Sequence, residues 1–320
     1  MEGRRNDAMP DDGTPDEPRR KIAIDRTAAE HAVSILGDAW TILIVRDAFK
    51  GARRYGEWRQ SLPIPEPVLA DRLKRMLGFG IIERDEIPGT RGGGYRLTEC
   101  GRDLWAVLVA MWKWQRDFLP GSPAGTRKLR HLICGRLADI EMRCGGCGVA
   151  VDPADTALAP TGEIVARKVD RPRYRRSVAA PRRRDAELRQ PMLTIIGDQA
   201  SARLLAAFFM GAHGFNEVQE KLGLPTALLA NRLSAFKRVG IVRSERHRDN
   251  ARRKFYRLTP KGLALYPLVL SIVAWGCRWF GADGCGLGIV HTKCGGPLVP
   301  QFHCLACGDV LRRREIRMES

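Results

Sequence analysis

The chain repeats itself. Shifted by 160 positions, Gly37-Asp38 falls on Gly197-Asp198, Gly51-Ala52 on Gly211-Ala212, Leu69-Ala70-Asp71-Arg72-Leu73 on Leu229-Ala230-Asn231-Arg232-Leu233, and Gly80-Ile81 on Gly240-Ile241. Tyr95-Arg96-Leu97-Thr98 meets Tyr256-Arg257-Leu258-Thr259 at a shift of 161, and by His131 and His291 the shift is 160 again. One long period describes a duplicated domain, since solenoid repeats run to only about 20–50 residues.

Within the first copy, Ala32, Ile35, Leu36, Ala39, Trp40, Leu43 and Ile44 fall on one face of a helix that Gly51 ends. A short helix over about 55–61 follows, then one over about 66–78 that starts after Pro65 and stops at Gly80. Ile81 to Arg84 and Tyr95 to Leu97 read as a hairpin with a glycine-rich tip. Thr98 caps a last helix whose buried face is Leu104, Val107, Leu108, Met111 and Trp112, repeated as Leu265, Leu268, Val269, Ile272 and Val273. This order predicts a mainly α fold with small β wings (α+β): two tandem winged helix-turn-helix domains, each followed by a small knuckle. The boundaries read as a disordered tail over 1–24, winged unit one over 25–120, knuckle one over 121–155, a basic linker over 156–190, winged unit two over 191–282 and knuckle two over 283–320. A short helix within the linker, near Asp185 to Arg189, is a further reading.

Each knuckle carries the same four donors. His131-x2-Cys134-x9-Cys144-x2-Cys147 is matched by His291-x2-Cys294-x9-Cys304-x2-Cys307. Cys3His is a structural zinc set, and the short x2 loops suit tight ligand turns. The spacing predicts one Zn2+ per knuckle, two per chain, with unligated thiols and a redox switch as the alternatives. Four donors per ion leave no open position for catalysis. Cys100, Cys277 and Cys285 lie outside the pattern, and Cys100 and Cys277 read as buried structural thiols. The tryptophans at 105, 112, 114, 275 and 279 read as core or dimer packing.

The net charge of +18 favours a polyanionic partner, nucleic acid first. No run of about 18 apolar residues spans a bilayer, and the polar start lacks the apolar stretch of an export signal. A cytoplasmic, nucleoid-associated protein is expected, its cysteines reduced or metal-bound. No phosphate loop, nucleophile motif or open metal triad marks an enzyme.

ILGDAWTILIVRDAFKGARRYGEW, VLADRLKRMLGFGIIER and YRLTECGRDL resemble the HxlR-type bacterial regulators, winged-helix relatives of the MarR group. GLPTALLANRLSAFKRVGIV and YRLTPKGLALYPLV of the second copy resemble them equally, whereas IIGDQASARLLAAFFMGAHGF departs, with Ala200 where the first copy has Trp40. The resemblance implies DNA binding, repression or activation, and dimerisation through the first and last helices. Here that means an intrachain pseudo-dimer or a homodimer. Some members sense electrophiles through a cysteine just before the first helix, but Thr27 stands at that position.

In this fold the second helix of the motif enters the major groove and the wing reaches backbone. With Leu69, Leu73 and Met76 inward, Pro67, Asp71, Lys74 and Arg75 face out and Arg72 lies at the flank, placed for a phosphate. In the second copy Ala227, Asn231, Ser234 and Ala235 face out with Arg232 at the flank. Arg54, Arg91, Lys237, Arg248, Arg252 and Arg253 complete the expected DNA contacts. The first wing mixes Arg84 and Arg91 with Glu83, Asp85 and Glu86, while the second carries Arg243, Arg246, Arg248, Arg252, Arg253 and Lys254 against Glu245 and Asp249. Double-stranded DNA is the expected partner, and a small-molecule effector is left open. The rival reading is a zinc-stabilised interaction scaffold in which one or both winged domains no longer bind DNA.

Overall fold

The computed structural model describes residues 27–87, 93–159, 190–246, 254–281, 285 and 288–319. The N-terminal tail, the linker from 160 to 189 and both wing tips, with Arg91, Arg248, Arg252 and Arg253, lie outside them.

The first expected helix is two. The apolar period runs through Gly37-Asp38, but the chain turns there: α1 spans Ala28–Leu36 and α2 Ala39–Phe49. Asp38 has extended backbone and accepts the Thr41 N–H at 2.9 Å, so it caps α2. The rest of the unit follows as α3 (Tyr55–Ser61), α4 (Glu66–Gly78), β1 (Ile82–Asp85) and β2 (Gly94–Leu97), antiparallel to β1. Thr98 caps a single turn, α5 (Glu99–Arg102), and the long helix α6 (Trp105–Phe118) follows as a separate element.

The second copy has the same order: α7 (Pro191–Ile196), α8 (Gln199–Phe209), α9 (Phe215–Leu222), α10 (Thr226–Val239), β6 (Val242–Arg246) with β7 (Lys254–Leu258), α11 (Pro260–Leu263) and α12 (Tyr266–Phe280). Between and after the winged units come β3 (Lys128–His131), β4 (Ile140–Cys144) and β5 (Thr156–Ala159), then β8 (Gly288–His291), β9 (Pro300–Cys304) and β10 (Ile316–Glu319). The expected linker therefore begins as a strand.

The two copies pack on each other. α12 lies along α1 and against α6, and one continuous apolar core joins both units. Gly276 allows the α12–α1 approach, because a Cβ there would sit 2.6 Å from the Ala28 carbonyl. Indole N–H groups stitch the interface reciprocally. Trp114 donates to the Lys261 carbonyl at 2.8 Å, and Trp275 donates to the Cys100 carbonyl at 2.9 Å. Each bond is the other's image under the repeat, the mark of an isologous contact.

Pro260–Phe280 is long and apolar enough to cross a membrane by length and composition, contrary to the expectation from run length. Here it is a core element, with Leu268, Leu270, Ile272 and Trp275 buried between the copies.

Trp114 and Trp275 are 2% and 4% exposed. Trp275→Ala is expected to cost about 3–5 kcal/mol and to leave the Cys100 carbonyl without its donor. Because the ring bridges the copies, hydrogen exchange should read the loss in both winged units. Loosening of the second unit alone would contradict the shared core.

Candidate metal centres and nucleic-acid interface

All eight expected metal donors converge, but across the copies. His131 and Cys134 meet Cys304 and Cys307; Cys144 and Cys147 meet His291 and Cys294. The expectation of one self-contained site per knuckle is corrected: every site takes His-x2-Cys from one copy and Cys-x2-Cys from the other. The strands explain why. β4 pairs with β9, which sets Cys304 beside Ile140 and Cys144 beside Pro300. β10 pairs with β3 and β5 with β8, so each histidine strand is covered by the other copy's tail strand. Backbone bonds repeat the exchange, as Leu132 N–H donates to Glu315 and Thr292 N–H to Asp155, at 2.7 and 2.9 Å.

Within each site the donor atoms lie within 4.8 Å of one another. His131 Nδ1 is 3.4 Å from both Cys134 Sγ and Cys307 Sγ, and His291 Nδ1 is 3.2 Å from Cys147 Sγ and 3.4 Å from Cys294 Sγ. Both Nε2 atoms are buried without a hydrogen-bond partner among the described residues. It is Nδ1 that faces the sulfurs in both sites, so a metal would be ligated through Nδ1. The ligand turns close with Gly135, Gly148, Gly295 and Gly308, each at φ between 68° and 84°.

The thiols are poised unequally. The Arg136 backbone N–H lowers Cys134. Burial opposes ionisation of Cys144, yet backbone N–H groups of Gly146 and Cys147 bring it below the usual thiol range. The Asp309 N–H favours a Cys307 thiolate, but burial and the neighbouring thiols Cys304 and Cys134 push it up to about 12. Several thiols this close cannot all ionise unaided, and a bound cation is their natural counter-charge. The clusters can hold a metal ion. His303 lies outside both groups, and its Nδ1 donates to the Gly308 carbonyl at 2.9 Å.

The remaining cysteines divide differently from expectation. Cys100 is a buried thiol, pushed up to about 12 by desolvation and by Asp103. Cys277, expected to be a buried free thiol, is instead disulfide-bonded to Cys285 at the end of α12.

The recognition helices have matching exposure. Pro67, Asp71 and Lys74 on α4, and Ala227, Asn231, Ser234 and Lys237 on α10, are exposed; Arg75 is half-buried and Arg54 exposed ahead of α3. Ala235, expected outside, is buried in the hydrophobic core of its unit. Arg72 is a second correction. Its guanidinium forks onto Asp38 at 2.8 and 3.0 Å and also bonds Asp71, so the expected phosphate arm ties α4 to the α2 cap. Arg232 likewise reaches Asp198, through Nε at 3.2 Å.

The wings are unlike. Arg84 stacks on Tyr95 at 4.6 Å, while Arg53 pairs with Asp85 and Arg96 with Glu83 at 3.1 Å, so acids answer these two arginines at the base of the first wing. In the second, Arg243 and Arg257 share one carboxylate, Glu245. Nothing in the spacing of the sequence separates crossed from sequential ligation, while the Asp38–Arg72 tie is open to discovery as the arginine that both copies keep.

Two winged helix-turn-helix units with exposed recognition helices, fused into one body, define a transcription regulator of the helix-turn-helix class. The model of the HxlR-like helix-turn-helix family matches residues 35–123 and again 195–283, and the chain belongs to that family. It is 37% identical over 132 residues to the uncharacterized HTH-type transcriptional regulator MT3179 of Mycobacterium tuberculosis, covering 40% of this chain and 82% of that protein. It is also 37% identical over 91 residues to the HTH-type transcriptional regulator YodB of Bacillus subtilis, covering 28% of this chain and 81% of that one. The crystal structure of PA1607 aligns at 31% identity over 39% of this chain and 88% of its own, with a TM-score of 0.36.

Double substitutions distinguish the two ligation schemes. Cys134→Ser with Cys307→Ser should remove one metal ion and spare the other; Cys134→Ser with Cys144→Ser should impair both. Elemental analysis of each protein reads the stoichiometry, and a loss confined to one ion in the second pair would reinstate sequential sites.

Proposed function

We propose that this chain reads an asymmetric double-stranded DNA operator with both of its winged units, held in register by two structural zinc ions. The observation that carries the proposal is the pairing of similar burial, Ala235 apart, with unequal chemistry on α4 and α10. The inward residues match, whereas Asp71 and Lys74 stand where the second helix has Asn231 and Ser234. Asn231 suits a bidentate bond to an adenine edge, and Asp71 can only accept, as from a cytosine amino group. Two unlike readers call for two unlike half-sites, since operator palindromy mirrors identical ones.

The charge distribution assigns the work. The second wing, with Arg248, Arg252, Arg253 and Lys254 near its tip, supplies most of the phosphate neutralisation that dominates affinity. Arg54, Lys74, Arg75, Arg91 and Lys237 add to it. Arg72 and Arg232 serve by holding the reading helices rather than by touching phosphate. Zinc fits the Cys3His donor set, closed and thiolate-rich, better than the hard oxygen-seeking cations. The protein acts in the cytoplasm, at the nucleoid, as one chain forming its own pseudo-dimer.

Selection from random DNA, followed by titration at several salt concentrations, tests the reading. Neutralising Arg252 and Arg253 should weaken binding to all sequences and flatten the log-log salt slope by about one per lost phosphate contact. Asn231→Ala should relax one base pair at a cost of about 1–3 kcal/mol. A perfectly palindromic consensus would refute the asymmetry.

A further inference from the structure

We propose that the cavity between α1, α8 and α12 is a binding site for a neutral, apolar small molecule about the size of one aromatic ring. The cavity, partly open to solvent, holds about 110 Å³ where the first copy's α1 meets the second copy's α8 and α12. Val33, Ala202, Ala206, Phe209 and Val273 form its walls, and Leu158, from β5, stands at the rim, 45% exposed. An apolar cavity of about 150 Å³ stays dry and takes benzene or xenon, so the space is of the right order for one ring after slight relaxation.

The polar side chains Glu30, Arg203, Thr156 and Tyr266 lie in its lining and pair among themselves. Glu30 and Arg203 pair with each other at 3.1 Å, so the wall carries no net charge to attract an ion. Thr156 donates to the Pro153 carbonyl at 2.9 Å, which leaves Tyr266 to donate to Thr156 across 2.6 Å. With the charges of the wall cancelled and the rest of the lining mostly apolar, a neutral apolar ligand fits it better than an ion.

The duplication gives an internal control for whether such a space is simply what this fold leaves. At the positions of Ala202, Ala206 and Val273 the first copy carries Ile42, Arg46 and Trp112, and Arg317 stands where the cavity has Ala157. Trp112 is 5% exposed, its N–H bonded to the Arg127 carbonyl at 3.0 Å. The bulk that one side retains is absent at every one of these positions on the other. Occupancy would press on α8, which packs against the recognition helix α10; this consequence, though not the binding itself, rests on the DNA-reading function.

The test uses the full chain with benzene, benzoate and xenon. Xenon-pressurised crystals should show an atom among Ala202, Ala206 and Val273. Benzene should raise Tm by about 1–3 °C, and benzoate should not. Val273→Trp and Ala202→Ile restore first-copy bulk; each variant that melts cooperatively should lose the benzene shift. An empty cavity under xenon with no benzene shift in the unsubstituted chain would overturn the site, as would a shift that survives in a folded variant. Equal stabilisation by benzoate would overturn the neutral class. In a parallel DNA titration, benzene should change affinity about fivefold or more in the unsubstituted chain alone. Loss of all DNA binding would count against the operator reading and leave the occupancy result standing.

Discussion

Asp38 and Asp198 sit where three requirements of the structure meet. Each carboxylate caps the helix that follows it, through Thr41 and Ser201. Each receives an arginine from the recognition helix of its own unit. The two backbones also bridge each other across the pseudo-two-fold axis, with the Ala39 N–H donating to the Gly197 carbonyl at 2.9 Å. The glycines beside them are required by that contact, since a Cβ on Gly37 would lie 2.9 Å from Gln199 Cα. The orientation of both reading helices is therefore referred to the axis itself. A charge pair with side chains about one-fifth exposed gains more than a surface pair, and breaking it would leave a carboxylate half-buried and short of a partner.

At the other end of the molecule the crossed metal sites impose the same relation again. A metal held by one knuckle alone would stabilise that knuckle; a metal held by donors from both copies makes ligation and association one event, because ligand capture and folding are linked. The antiparallel pairs β4–β9, β3–β10 and β5–β8 are each formed between copies. Isolated two-stranded ribbons are marginal in water, so a metal bound at these clusters would steady the ribbons that bring its donors together.

Much of this is legible in the amino-acid sequence. The helix over 66–78 and the short helix over 55–61 fall where apolar spacing, Pro65 and Gly80 put them, because those signals are local. The first helix reads as continuous because its apolar period survives the break. The cap signature Asp38-x-x-Thr41 marks the break, and the same signature recurs as Asp198-x-x-Ser201. All eight ligands are readable from spacing, but their partition is not. Two identical ligand strings admit either scheme, and the choice is made by strand pairing between residues about 160 apart. The membrane-length apolarity of Pro260–Phe280 misleads for a related reason: a helix buried between two copies is apolar on more than one face. Its neighbours lie in the other half of the chain.

Fusion changes what such a protein can become. In a homodimer, every substitution appears twice and is related by the axis. Here the copies share one chain and can differ, and their differences fall in particular places. Positions that hold the axis are kept: Gly37-Asp38 and Gly197-Asp198, Arg72 and Arg232, Trp114 and Trp275. Positions facing outward from the recognition helices are not, nor are the wing charges, nor the walls of the α1–α8–α12 cavity. Gly276 belongs to the same set, for its counterpart is Gln115, so α12 alone has the bare surface that lets α1 lie close. The closer approach on that side and the smaller side chains around the cavity concern the same helix pair. Divergence thus falls on the recognition faces, on the wings and on one side of the α1–α12 contact, while the Gly-Asp pairs at the axis, their arginines and the reciprocal tryptophans have been left alike.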